Sequence, residues 1–206
     1  MSTLHQIILA LSLLCAPLCA EPLKVLFFSG GGKTADTGHN GRMNHHKLIP
    51  DFLRSGIDLT YSDQLEDLNP QTLAQYEAVL MYRGGAIGKP ERIDHIIDYV
   101  ENGGGLVAIH HTCGAFDGDT DFISLIGGEF ARHGSGIFTA THVPGQEDHP
   151  ALGGIKPFST WDETYVHKNL NDDRTDLQVR DDKGRPESCL LYTSPSPRDR
   201  QKSRMP

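Results

Sequence analysis

Apolar and polar positions change period along the chain. Lys24-Val-Leu-Phe-Phe28 is a short apolar run, the pattern of a strand buried on both faces. Ser29-Gly-Gly-Gly32 then opens a polar stretch that predicts a long loop to about Met43. Asn44 to Ser55 predicts a helix, with Asn44 as its cap and Leu48, Ile49, Phe52 and Leu53 on one face; Gly56 stops it. Ile57 to Tyr61 alternates as a strand. After Asn69-Pro70 and a short helical turn, Ala78-Val-Leu-Met-Tyr82 is another buried strand, broken by Gly84-Gly85. Lys89-Pro90 opens a helix through Glu101 with Ile93, Ile96, Ile97 and Val100 inward, and Asn102-Gly-Gly-Gly105 ends it in the left-handed manner. Gly105 to His110 reads as a fourth strand. Beyond Gly128, Ile137, Thr139, Thr141 and Val143 alternate in a loop-rich region and predict extra or edge strands. Strands and helices taking turns over short connections argue for an α/β fold, a parallel sheet with helices on both faces.

The ends of the chain alter this picture. Ile7 to Leu14 is apolar and is followed by small residues ending in Ala20, which predicts a secretory signal over residues 1–20 and a mature start at Glu21. The run is too short to anchor in a bilayer, so a periplasmic or secreted protein with no stable membrane span is expected. A lipoprotein anchored through Cys15 or Cys19 is the alternative, disfavoured by the leucine before each cysteine. At the other end, Cys189 to Asp199 resembles one reading frame of a transposase sequencing adapter. Three barcode-length residues follow, Arg200 to Lys202, and Ser203 to Pro206 resembles the adapter resuming. Residues 189–206 are therefore read as a non-native tail and 21–188 as a single domain lacking its last elements. An unprotected sheet edge would then make the fragment fold poorly.

Setting the tail aside removes four cations (Arg198, Arg200, Lys202, Arg204) and one acid (Asp199), leaving a domain more acidic than the net charge of −8 for the whole chain. An acidic surface with no basic stripe excludes nucleic acid as a partner. Of the 4 cysteines, Cys113 alone then remains, so no internal disulfide is expected and Cys113 reads as a small buried hydrophobe.

In open parallel sheets, ligands bind beyond the carboxyl ends of the strands. Three places qualify: the Gly30–Asn44 loop, Tyr82-Arg83-Gly84-Gly85, and His110-His111-Thr112-Cys113-Gly114. Ser29-Gly-Gly-Gly-Lys33 lacks the spacing of a phosphate loop and reads as a tight turn. Among the histidines, His39, His110, His133 and His149 lie near glycines and at segment ends, where functional groups concentrate. His45, His46 and His95 read as solvated and His142 as structural.

The ordered set Gly103-Gly-Gly-Leu-Val-Ala-Ile-His-His111, Leu125-Ile-Gly-Gly-Glu-Phe130, His133, Asp148-His-Pro150 and Trp161-Asp-Glu-Thr-Tyr165, with Gly38-His39 before it, resembles the ThuA-like (trehalose utilisation) family over about residues 24–188. The resemblance implies a class I glutamine-amidotransferase-like, flavodoxin-like fold and a role in carbohydrate metabolism. In amidotransferases of this fold the corresponding strand end delivers a nucleophilic cysteine. Here His110 stands at that point, or His111 if the register is one later, and Cys113 comes too late. A glutaminase is therefore not expected; imidazole suits metal ligation or proton transfer.

The candidate site is His39, His110 and Glu163 as catalytic or metal-ligating groups, with His133 and Asp162 beside them and Arg83, His111, His133 and Tyr165 binding substrate. A divalent metal would be zinc, manganese or iron. Two functions remain open: an enzyme of hydrolase, lyase or isomerase type on a disaccharide or keto-sugar, and a non-catalytic carbohydrate-binding or accessory module. Titratable groups outnumber aromatics (Tyr82, Trp161, Tyr165), which leans toward catalysis.

Overall fold

The structure, a computed structural model, describes residues 21–30, 39–115, 118–182 and 185–193. The expected signal, most of the first loop and the last residues of the expected tail lie outside these. Among the described residues no helix is long and apolar enough to cross a membrane.

A four-stranded parallel sheet holds β1 (Leu23–Gly30), β2 (Ile57–Ser62), β3 (Ala78–Arg83) and β4 (Gly105–Ala108) in the order β2-β1-β3-β4. Strand alternation sends successive β1 side chains to opposite faces. Val25 and Phe27 pack with Leu59, Leu80 and Tyr82 against α1 (Gly41–Arg54) through Leu48 and Phe52. Leu26 and Phe28 pack with Val79 and Met81 against Ile93 and Ile96 of α3 (Glu91–Glu101) and Phe122 of α4 (Thr120–Ile126). Leu73 of the short α2 (Pro70–Leu73) joins this second core. Burying each of the two phenylalanines contributes roughly 1.5–3 kcal/mol. Both faces of β1 and β3 are covered, as the alternation of elements predicts, whereas Val107 on the edge strand β4 is 49% exposed.

The first helix differs from expectation. It starts at Gly41, three residues early, because Asn40 and not Asn44 is the cap: its Oδ1 accepts the Met43 N–H at 3.0 Å. Gly41 lies so close to β1 that a Cβ would sit 1.6 Å from Ser29 Oγ. The inward face therefore runs through Gly41, His45, Leu48 and Phe52, while Leu53 is 57% exposed. His45 is buried and its Nε2 bonds the Leu59 carbonyl at 2.8 Å. His95 is likewise partnered, with Nδ1 3.0 Å from the Leu68 carbonyl; of the three histidines expected to be solvated, only His46 is exposed.

The region past Gly128 is more ordered than its composition suggests. β5 (Glu129–His142), β6 (Phe158–Lys168), β7 (Thr175–Asp182) and β8 (Arg185–Thr193) form a second, antiparallel sheet in the order β6-β5-β7-β8. Ile137, Thr139 and Thr141 lie on its exposed face, and Ala140 on the buried one. β8 pairs Val179 with Ser188 and Thr175 with Thr193, so the expected boundary at Ser188 falls inside this strand.

One part of the core makes an alkaline prediction. Tyr99 donates to the Tyr76 carbonyl at 3.0 Å, and its ring covers Gly104, where a Cβ would lie 2.2 Å from the ring. Burial, with the Glu77 charge second, pushes the Tyr99 phenol up to about 12. The unfolded phenol ionises near about 10, so between these values the unfolded chain binds fewer protons and stability falls as pH rises. Tyr99→Phe should cost about 1 kcal/mol at pH 8, yet its melting temperature should fall less than wild type between pH 10 and 11.5. Parallel melting curves would contradict the assignment.

Candidate functional site

Four pieces of chain meet at the carboxyl end of the parallel sheet: the segment before α1, the end of β3, the tight turn His110–Gly114 after β4, and one face of the β5–β6 ribbon. The turn is bolted to β3 by Thr112. Its fully buried hydroxyl accepts the Arg83 N–H at 3.1 Å and donates to the Met81 carbonyl at 2.9 Å. β4 stops at Ala108, two residues earlier than expected, because the chain turns sharply at His110. His110 has φ 56°, a left-handed backbone that costs a non-glycine residue about 1–2 kcal/mol. This selects His110, not His111, as the residue presented on the turn.

Three imidazoles converge there. His39 Nε2 lies 3.1 Å from His110 Nε2, with the rings stacked at 5.1 Å, and His39 meets His111 edge-on at 4.7 Å. One nitrogen from each of the three lies within 4.8 Å of the others. Tyr82 walls the group, 4.8 Å from His111 and 6.0 Å from His110. Gly84 makes room for His111, since a Cβ would lie 2.4 Å from its Cδ2. Burial lowers the pKa of His110, and burial followed by the neighbouring His110 lowers that of His111 to about 4. These two rings are therefore held neutral, with nitrogen lone pairs available. His111 Nδ1 is buried and has no hydrogen-bond partner among the described residues, a position that calls for one.

The ribbon supplies the acid. Its register pairs His133 with Tyr165, Ser135 with Glu163 and Ile137 with Trp161, which places all six on one face. Glu163 bridges two imidazoles, 3.7 Å from His110 Nε2 and 3.8 Å from His133 Nε2. Tyr165 packs on His110 at 5.2 Å, His133 at 5.7 Å and Phe130 at 4.8 Å. Burial first, and the Glu163 charge next, hold its phenol far above the ordinary tyrosine value, so it remains a proton donor.

The structure thus brings His39, His110, His111, His133, Glu163 and Tyr165 together, but not every expected member. Asp162 falls on the opposite face of the ribbon by strand alternation, and its Oδ1 accepts the Glu163 N–H at 2.8 Å. His149 caps the turn Pro150–Leu152 by accepting the Ala151 N–H at 3.2 Å. Cys113 is half-buried; its thiol donates to the His110 carbonyl at 3.1 Å and burial pushes its pKa up to about 11. Arg83 is 6% exposed and reaches the Ser29 carbonyl at 3.2 Å beneath a recess of about 590 Å³ that it shares with His39, Arg42, Tyr61 and Asp63. Sequence reasoning missed Thr112 and Phe130 as positioning groups. No local signal marks Thr112, whereas Phe130 precedes His133 on a strand whose hairpin partner could have been sought.

The site is thus a histidine presented on the strained turn after the fourth strand of a parallel α/β sheet, facing an antiparallel ribbon that carries a carboxylate. The chain belongs to the ThuA family, described as trehalose utilisation, which it matches over residues 24–197. The fold is similar to that of a ThuA-like protein from Parabacteroides merdae (19% identity, 85% of this chain and 76% of that one, TM-score 0.70). It is also similar to a ThuA-like protein from Bacteroides uniformis (16% identity, 87% and 81%, TM-score 0.67). No curated protein matches the sequence significantly. The family ties the chain to carbohydrate metabolism.

Proposed function

We propose that the protein is an exported, metal-assisted acid–base enzyme acting on a disaccharide or keto-sugar, of hydrolase, lyase or isomerase type. The observation that carries this reading is the convergence of three imidazole nitrogens, two from rings held neutral, beside the Glu163 carboxylate. His39, His110 and His111 would hold a divalent cation, and neutral imidazoles suit zinc, manganese or iron. In this reading His111 takes the ligand place expected of Glu163. A cation there polarises a carbonyl or hydroxyl oxygen of the sugar.

The remaining roles fall to the chain's own residues. Glu163, set between His110 and His133, acts as general base toward water or a carbon-bound proton next to a carbonyl. Tyr165 donates a hydrogen bond. The recess lined by Arg42, Tyr61, Asp63 and Arg83 receives sugar hydroxyls. Glutaminase chemistry is disfavoured because Cys113 points its thiol at a backbone carbonyl and keeps its proton.

Product analysis with trehalose and its 3-oxo derivative tests the proposal. Turnover of at least one should fall about a hundredfold or more after chelation, as loss of a Lewis acid worth several kcal/mol implies, and return with zinc or manganese. Sugar binding without turnover, with and without metal, would favour the binding-module alternative.

A further inference from the structure

The face that carries Glu163 continues outward. Along β5 and β6 the cross-strand pairs on this face are His133 with Tyr165, Ser135 with Glu163, Ile137 with Trp161, and Thr139 with Ser159. Trp161 is 69% and Ile137 81% exposed. These are the largest exposures of any big hydrophobic side chains among the described residues. Trp161 is two residues from Glu163, a step of about 7 Å along a strand, close to the step from one pyranose ring to the next. The polar recess shared by His39, Arg42 and Asp63 adjoins the cluster through His39. The centre formed by His39, His110 and Glu163 thus opens to a polar recess through His39 and continues along the ribbon to an aromatic shelf through Glu163.

We propose that Trp161, backed by Ile137, is the platform for the second ring of a disaccharide whose reacting ring sits at the His39–His110–Glu163 centre. This rests on the sugar-active reading above and narrows it to substrates of at least two rings. An indole face offers apolar area to the C–H face of a pyranose at low conformational cost. The surroundings suit a sugar better than a protein. Ser135 lies on one side, and the Thr139 and Ser159 hydroxyls, 2.8 Å apart, lie on the other. The apolar patch is thus one cross-strand pair wide and bounded by hydroxyls. A stable protein interface needs about 800 Å² per partner, which one such pair cannot supply.

The chain contains a single tryptophan, so its fluorescence reports on this platform alone. Trehalose or its 3-oxo derivative should shift the emission and shield it from acrylamide, whereas glucose should do neither. Trp161→Ala, a change at an exposed position that leaves the core untouched, should weaken disaccharide binding about tenfold, as loss of an aromatic anchor does. Its affinity for glucose, read by calorimetry, should stay within about twofold of wild type on that same account. Disaccharide binding by calorimetry with Trp161 unshielded, or with equal affinity in Trp161→Ala, would overturn the platform and leave the site reading intact. Failure of the wild type to bind any of these sugars would overturn the site reading and the platform with it. A tryptophan already shielded without sugar, in a protein that sediments as a dimer, would overturn the platform in favour of self-association.

Discussion

His110→Gly is expected to fold more stably than His110→Ala while both lose turnover by about a thousandfold or more, the combined worth of a ligand and a proton-transfer group. Both variants remove the imidazole and its contacts with His39, Tyr82 and Tyr165. They differ in the backbone. Alanine at φ 56° carries the left-handed cost of about 1–2 kcal/mol, whereas glycine adopts this region freely at an entropic cost of about 0.5–1 kcal/mol in the unfolded chain. The balance favours glycine by up to about 1.5 kcal/mol, read as a higher urea midpoint at unchanged slope. Thr112 anchors the turn to β3 in both, so the turn itself should persist. A lower midpoint for His110→Gly than for His110→Ala would show that the left-handed cost at His110 is smaller than the entropy cost of glycine, and would remove the physical basis for a strained histidine there.

Glu163→Gln is expected to lower kcat by about 10²–10⁴-fold, the range for removal of a general base, with little change in KM. The amide keeps the shape of the side chain and its place opposite Ser135 on the ribbon but cannot take a proton. Bound metal should be retained, because the converging nitrogens belong to His39, His110 and His111. Concurrent loss of metal would instead make Glu163 a ligand, and the base would have to be sought elsewhere, with His133, 3.8 Å away, the nearest alternative.

The parallel half of the fold was legible because its signals are strong and local. β1 and β3 are unbroken apolar runs, and α3 buries Ile93, Ile96 and Val100 as its periodicity predicts. The start of α1 misled because Asn40 and Asn44 are both good caps, and only the close approach of Gly41 to Ser29 decides between them. In the antiparallel sheet only the alternation from Ile137 to Val143 signals a strand, because Gly134, Ser135 and Gly136 interrupt the apolar pattern of β5 before it. Its regularity comes from long pairing with β6, which is invisible in one strand alone. Most of the site's members could be named from segment ends and glycines. Their geometry could not: His39 and His110 touch across 71 residues, and the placement of Glu163 on the ribbon face that meets His110 and of Asp162 on the other face depends on the ribbon's register.

The central claim is that His39, His110 and His111 form one cation site. Metal analysis of the purified protein after loading with zinc or manganese and exhaustive desalting, joined to X-ray absorption at the metal edge, tests it most directly. The account predicts about one equivalent per chain with three imidazole ligands, at about 2.0–2.1 Å if the metal is zinc, and loss of that equivalent in His39→Ala, His110→Ala and His111→Ala alike. No retained metal, or an equivalent that survives all three substitutions, would contradict it.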